Sequence, residues 1–447
     1  MFLDEILLQQ IIDDEVELNL SNSNHMDLVK RSQELFNKLK TKYEKMYRYY
    51  QGKTDAIENY QFITSRSNNK INLNYIKKFV KEEVSYSVGK EISYESTSGN
   101  KEIIKDINYT ISHWKSSHNI DLMKYMLIFS EVYELYYVDK DNNFSSKIIK
   151  PTEGYAFTNE FNEMILFIHC FKSEFTNKEF IDVYSKNSIW RLNDKFEIIS
   201  GPVNHIFKKV PVSHGVLSCE RENDTIYSDI KGLQDAFETN LSDISNEISD
   251  FRNAYLKFLN SQVDNKDVEK MKELGILQFS NPDGNAEWLI KNINDTFIQN
   301  SLNTYEDKIY QIGCHINANE KMQSNTSSLA LRARLNSMEN KCTLNTNAHK
   351  DILKSRIQFL SIYLRVKKGK DYDPKDITPK YTANIPQDDL MTAQILAQVP
   401  EGTISKETGR AQFSFIPNAI VEGERVAKEQ KEEIDKHPDL PGGGEDE

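Results

Sequence analysis

Residues 226–260 read IYSDIKGLQDAFETNLSDISNEISDFRNAYLKFLN. Ile226, Ile230, Leu233, Phe237, Leu241, Ile244, Ile248, Phe251, Tyr255 and Leu259 step by three or four residues throughout. That spacing predicts one unbroken amphipathic helix, roughly 50 Å long at 1.5 Å rise per residue. The other positions are mostly polar, with Asp229, Asp235, Glu238, Asp243, Glu247 and Asp250 against Lys231, Arg252 and Lys257. A helix this long with a single apolar stripe needs neighbours along its whole length, as a spoke in an assembly has.

Downstream, Ile298, Leu302, Tyr305, Ile309 and Ile312 repeat the pattern and predict a second rod. Residues 261–295 lie between the rods as a small α/β insert. It has a short helix (Val268 to Leu274), a strand (Ile276 to Phe279), a turn (Asn281 to Asn285) and a returning strand (Trp288 to Ile290). Residues 313–328 are polar and irregular. Helical spacing resumes at Leu331, Leu335, Met338 and Cys342, falters at Asn345-Thr346-Asn347, and continues through Leu353, Ile357, Leu360 and Leu364. This predicts a long helix with a kink or soft point. An extended segment follows (Tyr381 to Ile385), then helical sequence over 386–436 and a disordered tail from Pro438 to Glu447.

Upstream, Leu28, Leu35, Leu39, Tyr43, Met46 and Tyr50 share one helical face, stopped by Gly52. Leu73, Ile76, Phe79, Val80 and Val84 mark a second helix, stopped by Gly89. A third surrounds Ile104 to Trp114, and the apolar run Tyr125 to Val138 reads as helix then strand. Met164–Cys170, Phe180–Tyr184, Ser188–Leu192 and Phe196–Ile199, separated by turn residues, predict an antiparallel β region. The fold class is α+β and mainly helical.

The chain has 447 residues, more than one compact core holds, so two or more domains are expected. Cys170, Cys219, Cys314 and Cys342 are scattered and suggest neither a zinc site nor a disulfide framework. The acidic N-terminus lacks the basic and apolar regions of a signal peptide, and no stretch reaches the ~20 apolar residues of a membrane span. A soluble protein made in a cytoplasm is expected. The net charge of −12 argues against tight, static DNA binding, which phosphate neutralisation drives, but not against a conduit past which DNA slides.

Chemical motifs fail on inspection. Gly52-Lys53-Thr54 resembles the end of a phosphate loop, but Tyr47 occupies the position of its first glycine. Asp139, Asp141 and Asn143 mimic a calcium loop, yet Phe144 replaces its glycine and Lys150 its closing glutamate. No HExxH or G-x-S-x-G occurs. No catalytic residue, metal site or cofactor is expected, and the chain is read as no enzyme.

Four places carry a family resemblance. They are Tyr49-Tyr50-Gln51-Gly52 with Asn69 to Val80; Tyr86 to Ile92; Val210-Pro211-Val212 leading to Ser228-Asp229-Ile230 and Asp250 to Leu256; and Ser327 to Glu339. Their order and spacing resemble the portal proteins of long-tailed phages of Gram-positive bacteria, from about residue 30 to about 430. The family commonly has proline at the Glu91 position and glycine at the Ser328 position.

The resemblance implies a portal fold: a β-rich wing (1–225, rejoined by 329–385), stem helices (226–260 and 296–314), a clip (261–295), a tunnel loop (315–328) and a helical crown (386–436). It implies a homo-oligomeric ring, usually of twelve subunits, at the capsid vertex of a virion assembled in a bacterial cytoplasm, with no membrane. Double-stranded DNA would pass through it. The terminase large subunit, a head–tail adaptor, and capsid and scaffolding proteins would be its partners. Lys321, Asn325, Arg332, Arg334 and Lys341 are the candidate DNA-facing residues, and Phe279 and Trp288 the candidate clip-docking residues. For the cations, solvation or pairing between subunits is the alternative; for Trp288, a place in a small core. A virion scaffold or adaptor without a DNA channel is the rival function.

Overall fold

The computed structural model describes residues 17–62, 67–251, 255–260, 283–289, 295–317, 328–382, 389–400, 402–413, 415–416 and 419–436. The chain divides into two units, Met1–Ala383 and Asn384–Glu447.

Helix α1 (Ser23–Tyr50) opens the first unit, capped where the Asn22 side chain accepts from the Asn24 N–H. Its buried face carries Leu28, Phe36, Tyr43, Met46 and Tyr49. Leu35, expected on that face, is exposed, and Phe36 beside it packs instead. Gly52, at φ +85°, turns the chain as expected of a helix stop. Helix α2 (Asp55–Asn59) precedes α3 (Tyr75–Val88), which residues 67–74 lead into and whose Asn74 cap accepts from the Lys77 N–H.

Strand β1 (Ser93–Ser96), α4 (Lys101–Ile111) and α5 (His118–Phe129) precede the β region. There β2 (Glu131–Val138) is buried on both faces over most of its length and runs between β3 (Phe144–Ile149) and β9 (Val212–Val216). Strands β4 (Gly154–Thr158), β5 (Met164–Lys172), β6 (Glu179–Tyr184), β7 (Ser188–Asn193) and β8 (Ile198–Asn204) form an antiparallel meander in chain order. Antiparallel pairing beside segregated helices confirms the α+β class.

The first rod is α6 (Ile226–Phe251), about 39 Å long by its residue count. It ends at Phe251 and does not run unbroken to residue 260 as its spacing predicts. Tyr255–Leu259 forms strand β10, paired antiparallel with β11 (Asn285–Leu289). The returning strand around Trp288 is present, but its partner is β10. Ile276–Phe279, the expected partner, lies outside the described residues, as does the predicted helix before it.

Helix α7 (Asp295–Gly313) runs back along α6. Tyr305 lies 6.3 Å from Phe237 between ring centroids, and Gly313 returns to the side of Ile226. The rods thus form an antiparallel hairpin ending in the β10–β11 ribbon. Their upper halves share a core with α1, α3 and α5 through Ile230, Phe237, Ile309 and Tyr310. Farther along, Ile248 and Phe297 are 59% and 69% exposed.

Helix α8 (Ser328–Tyr363) is one continuous helical element, as the spacing on either side of Asn345–Asn347 predicts. It crosses β9 closely enough that a Cβ on Gly215 would lie 1.8 Å from Ile352 Cδ1. A π-helical turn (Leu364–Lys368) ends it. Strand β12 (Ile377–Lys380) then pairs with β1, ahead of the extended segment expected from Tyr381. In the second unit, α9 (Asp389–Gln398), α10 (Lys406–Ala411) and α11 (Ala419–Lys436) occupy the stretch predicted to be helical. The Ser405 side chain caps α10 by accepting from the Thr408 N–H.

Candidate functional site

The inner face of α6 is polar where a core helix is usually apolar. Gln234, Glu238, Ser242 and Asn246 recur every fourth residue and are fully buried. They meet the extended run before α3. Asn246 Oδ1 accepts from the Asn69 N–H (2.6 Å), Ser242 Oγ from Ile71 (3.0 Å) and Glu238 Oε1 from Leu73 (3.1 Å). Gln234 Oε1 accepts from Ile76 (3.3 Å), in the first turn of α3, where helix N–H groups have no partner of their own.

The repeats match physically. Four helical residues advance about 6.0 Å, and two extended residues advance about 6.6 Å. Alternate amides therefore face successive turns of the rod. Backbone donors require partners, and the buried side chains of α6 supply them here without a neighbouring strand.

The acids of α6 are correspondingly less free than their sequence pattern suggests. Tyr49 Oη donates to Asp235 (2.9 Å), Tyr60 Oη to Asp243 (2.6 Å) and Thr54 Oγ1 to Glu238 (2.6 Å). Burial raises the Glu238 carboxyl above its ordinary range, against the hydrogen bonds from Thr54 and the backbone.

Where α7 ends, α3 and α8 meet it at a charged junction. Glu83 of α3 is buried, and Lys341 Nζ lies 3.0 Å from its Oε1. Asn345 Nδ2 donates to Glu83 Oε2 at 2.7 Å. The two ring nitrogens of His315 face Glu82 (2.7 Å) and Glu83 (3.2 Å), and its ring stacks on Phe79 at 4.0 Å. Burial pushes the Glu83 carboxyl up, but the His315 hydrogen bond and the Lys341 charge outweigh it and hold it below the usual range. Gly313 is required here, because a Cβ would stand 2.8 Å from Phe79 Cε2. The junction fixes the chain on entry to residues 318–327.

A second buried pair ties α8 to the sheet. Arg356 Nη2 lies 2.9 Å from Glu134 Oε1, and Arg356 Nε donates to Glu134 Oε2 at 3.1 Å. His118 and Tyr136 also contact that carboxylate, at 2.8 Å each. Burial would raise the Glu134 pKa, but the Arg356 charge and the His118 hydrogen bond lower it to about 2. Sequence reading misses this pair, since nothing local links positions so far apart in the chain.

The sequence-predicted site residues are dispersed. Lys341 is engaged inside the chain with Glu83 and donates to the Gly313 carbonyl (3.3 Å), so its charge is committed to the junction rather than directed outward. Arg332 and Arg334 belong to the first turns of α8. Trp288 sits on β11 in register with Leu256. Lys321, Asn325 and Phe279 lie outside the described residues. The described residues bring together no group of side chains able to hold a metal ion, and contain no helix long and apolar enough to cross a membrane. All four cysteines are free.

A sequence profile described as "Phage portal protein, SPP1 Gp6-like" matches residues 30–436. Among solved structures, the chain is similar to one titled as the neck of an empty GTA particle computed with C6 symmetry, at 9% identity and a TM-score of 0.45, over 78% of this chain and 90% of that one. It is also similar to a chain from the virion of a native gene transfer agent particle, at 8% identity and a TM-score of 0.43, over 75% and 88%. No curated protein matches it in sequence.

Proposed function

The chain belongs to the SPP1 Gp6-like phage portal protein family, and on that premise we propose that its copies close into a ring whose opening passes duplex DNA into and out of the capsid. The family is one of structural connectors. In this reading α6 and α7 are the stem, and the residues between them form a clip that docks the terminase and a head–tail adaptor through Phe279 and Trp288. The wing is the β-rich body, and the crown is 386–436.

The carrying observation is the rod hairpin, whose apolar stripe is covered by its own chain only in part. Ile248 and Phe297 remain exposed on the described rods, and neighbouring copies in a ring would cover them. The polar ladder holds the inner face of α6 to the run before α3, leaving its outer side to neighbours.

Duplex DNA carries about one negative charge per 1.7 Å of axis. A chain of net charge −12 repels it overall, so it slides and does not lodge. Transient contacts fall to Lys321, Asn325, Arg332 and Arg334 near the loop, with Lys341 retained inside.

Negative-stain electron microscopy of the purified chain tests this reading. Rings with an open centre are expected; a monomer at all concentrations, or a ring closed at its centre, overturns it in favour of an adaptor without a channel. Replacing residues 318–327 with a Gly-Ser turn tests the loop. DNA packaging and retention should fall, and unchanged values would remove the loop from the conduit.

A further inference from the structure

Cyclic assemblies of identical chains join two different faces of each copy. Helix α3 borders two faces of opposite charge. On one side Asn74, Lys77, Lys78, Lys81 and Glu82 line a shallow recess. Lys78 pairs with Glu82 at 2.5 Å, whereas Lys77 and Lys81 have no carboxylate partner among the described residues. At 3.6 residues per turn, they lie about 240° and about 200° around the helix from Glu83.

Glu83 marks the opposite side. It lines a groove of about 360 Å³ with Asp224, Asp229, Asp351, Leu217 and Leu344. Glu83 is satisfied by His315 and Lys341, and Asp351 by Lys354 at 2.8 Å. Asp224 and Asp229 have no salt-bridge partner among the described residues. Burial raises the Asp229 carboxyl; Lys341 opposes this, and Asp224 and Glu83 add to it. Leu344 is 69% exposed beside these acids, and Leu73, just before α3, is 36% exposed.

We propose that the lysine face of α3 seats in the acidic groove of the next copy, with Lys77 and Lys81 against Asp224 and Asp229 and with Leu73 and Leu344 in the apolar centre. Two unpaired cations meet two unpaired carboxylates, and opposite charges around an apolar centre are the usual anatomy of a specific interface. This inference rests on the ring reading and assigns it a contact.

The test is charge reversal in the full chain. Purified wild type, Lys77→Glu/Lys81→Glu, Asp224→Lys/Asp229→Lys and the variant with all four changes are compared by mass photometry and negative stain. Each reversed pair should reduce the ring population by at least about tenfold, because like charges then face each other. The four-change variant, or a mixture of the two paired variants, should recover it. Asp224→Asn/Asp229→Asn adds no charge to the groove and should weaken rings in the same direction while flattening their salt dependence. Circular dichroism and thermal melting establish that each variant is folded. Rings unaffected by either reversal, or folded reversed pairs that the combination fails to rescue, overturn this contact while leaving the ring intact. A wild type that forms no rings overturns the ring reading itself.

Discussion

The sheet core and the rods both bury polar side chains, but satisfy them differently. At the sheet, Glu134 is buried against the Arg356 guanidinium with His118 and Tyr136 around it. Along α6, Gln234, Glu238, Ser242 and Asn246 are equally buried, yet they accept from backbone amides of the run before α3 and of its first turn. The first arrangement ties distant elements by charge and tolerates no missing partner. The second spreads the work over four weaker bonds and sets the register of a segment that has no sheet of its own.

The largest expected effect comes from removing a cation at the sheet. Arg356→Met leaves Glu134 buried without its guanidinium, with His118 and Tyr136 remaining against it, which should destabilise the first unit by about 3–5 kcal/mol. Glu134→Leu added to it should recover most of that loss, as read by urea unfolding. Equal losses in the single and double variants would mean that charge pairing is not what distinguishes this region.

A smaller, local effect is expected in the rods. Asn246→Ala removes the acceptor of the Asn69 N–H together with the bonds that Asn246 donates to Tyr60 Oη and the Asn69 carbonyl, which should cost about 1–3 kcal/mol. Hydrogen exchange should quicken at Asn69 and its neighbours and stay unchanged in β2. A uniform acceleration would erase the proposed difference between regions.

Acid separates the regions by sign. The folded Glu134 carboxyl titrates near 2 against an ordinary value of 4.5. Its contribution of a few kcal/mol is therefore complete above about pH 5 and is lost as pH falls toward 2. Glu238 is raised, so the folded state takes its proton first, and its contribution grows as pH falls through that raised value toward 4.5. Melting temperature against pH, compared with Glu134→Gln and Glu238→Gln, reads both slopes. At neutral pH, Glu238→Gln should change stability least, by under about 1 kcal/mol, since an amide oxygen still accepts from Leu73.

The rods were legible because apolar spacing of three and four survives in sequence without knowledge of partners. Their end was not. Tyr255 and Leu259 continue the helical step from Phe251, while Tyr255, Lys257 and Leu259 also alternate as a strand does, and only pairing with 285–289 decides. Leu35 and Phe36 show the same ambiguity at single-residue scale. Asn345 looked like an interruption because its face of α8 packs on a buried glutamate rather than on an apolar core. Lys341 looked free for DNA because Glu83, its partner, comes from a distant part of the chain. The polar stripe of α6 has the spacing of a solvent face, and nothing in it signals that an extended backbone runs beneath.

That ladder behaves as a vernier. Its two scales differ by about 0.6 Å per division, a drift that hydrogen-bond tolerance absorbs over a few rungs and no more, so its length is self-limiting. It also reads parity: inserting or deleting one residue between Asn69 and Leu73 would turn the amides beyond the change away from the rod. Evolution can repaint the side chains of this run, but cannot change its length by an odd number.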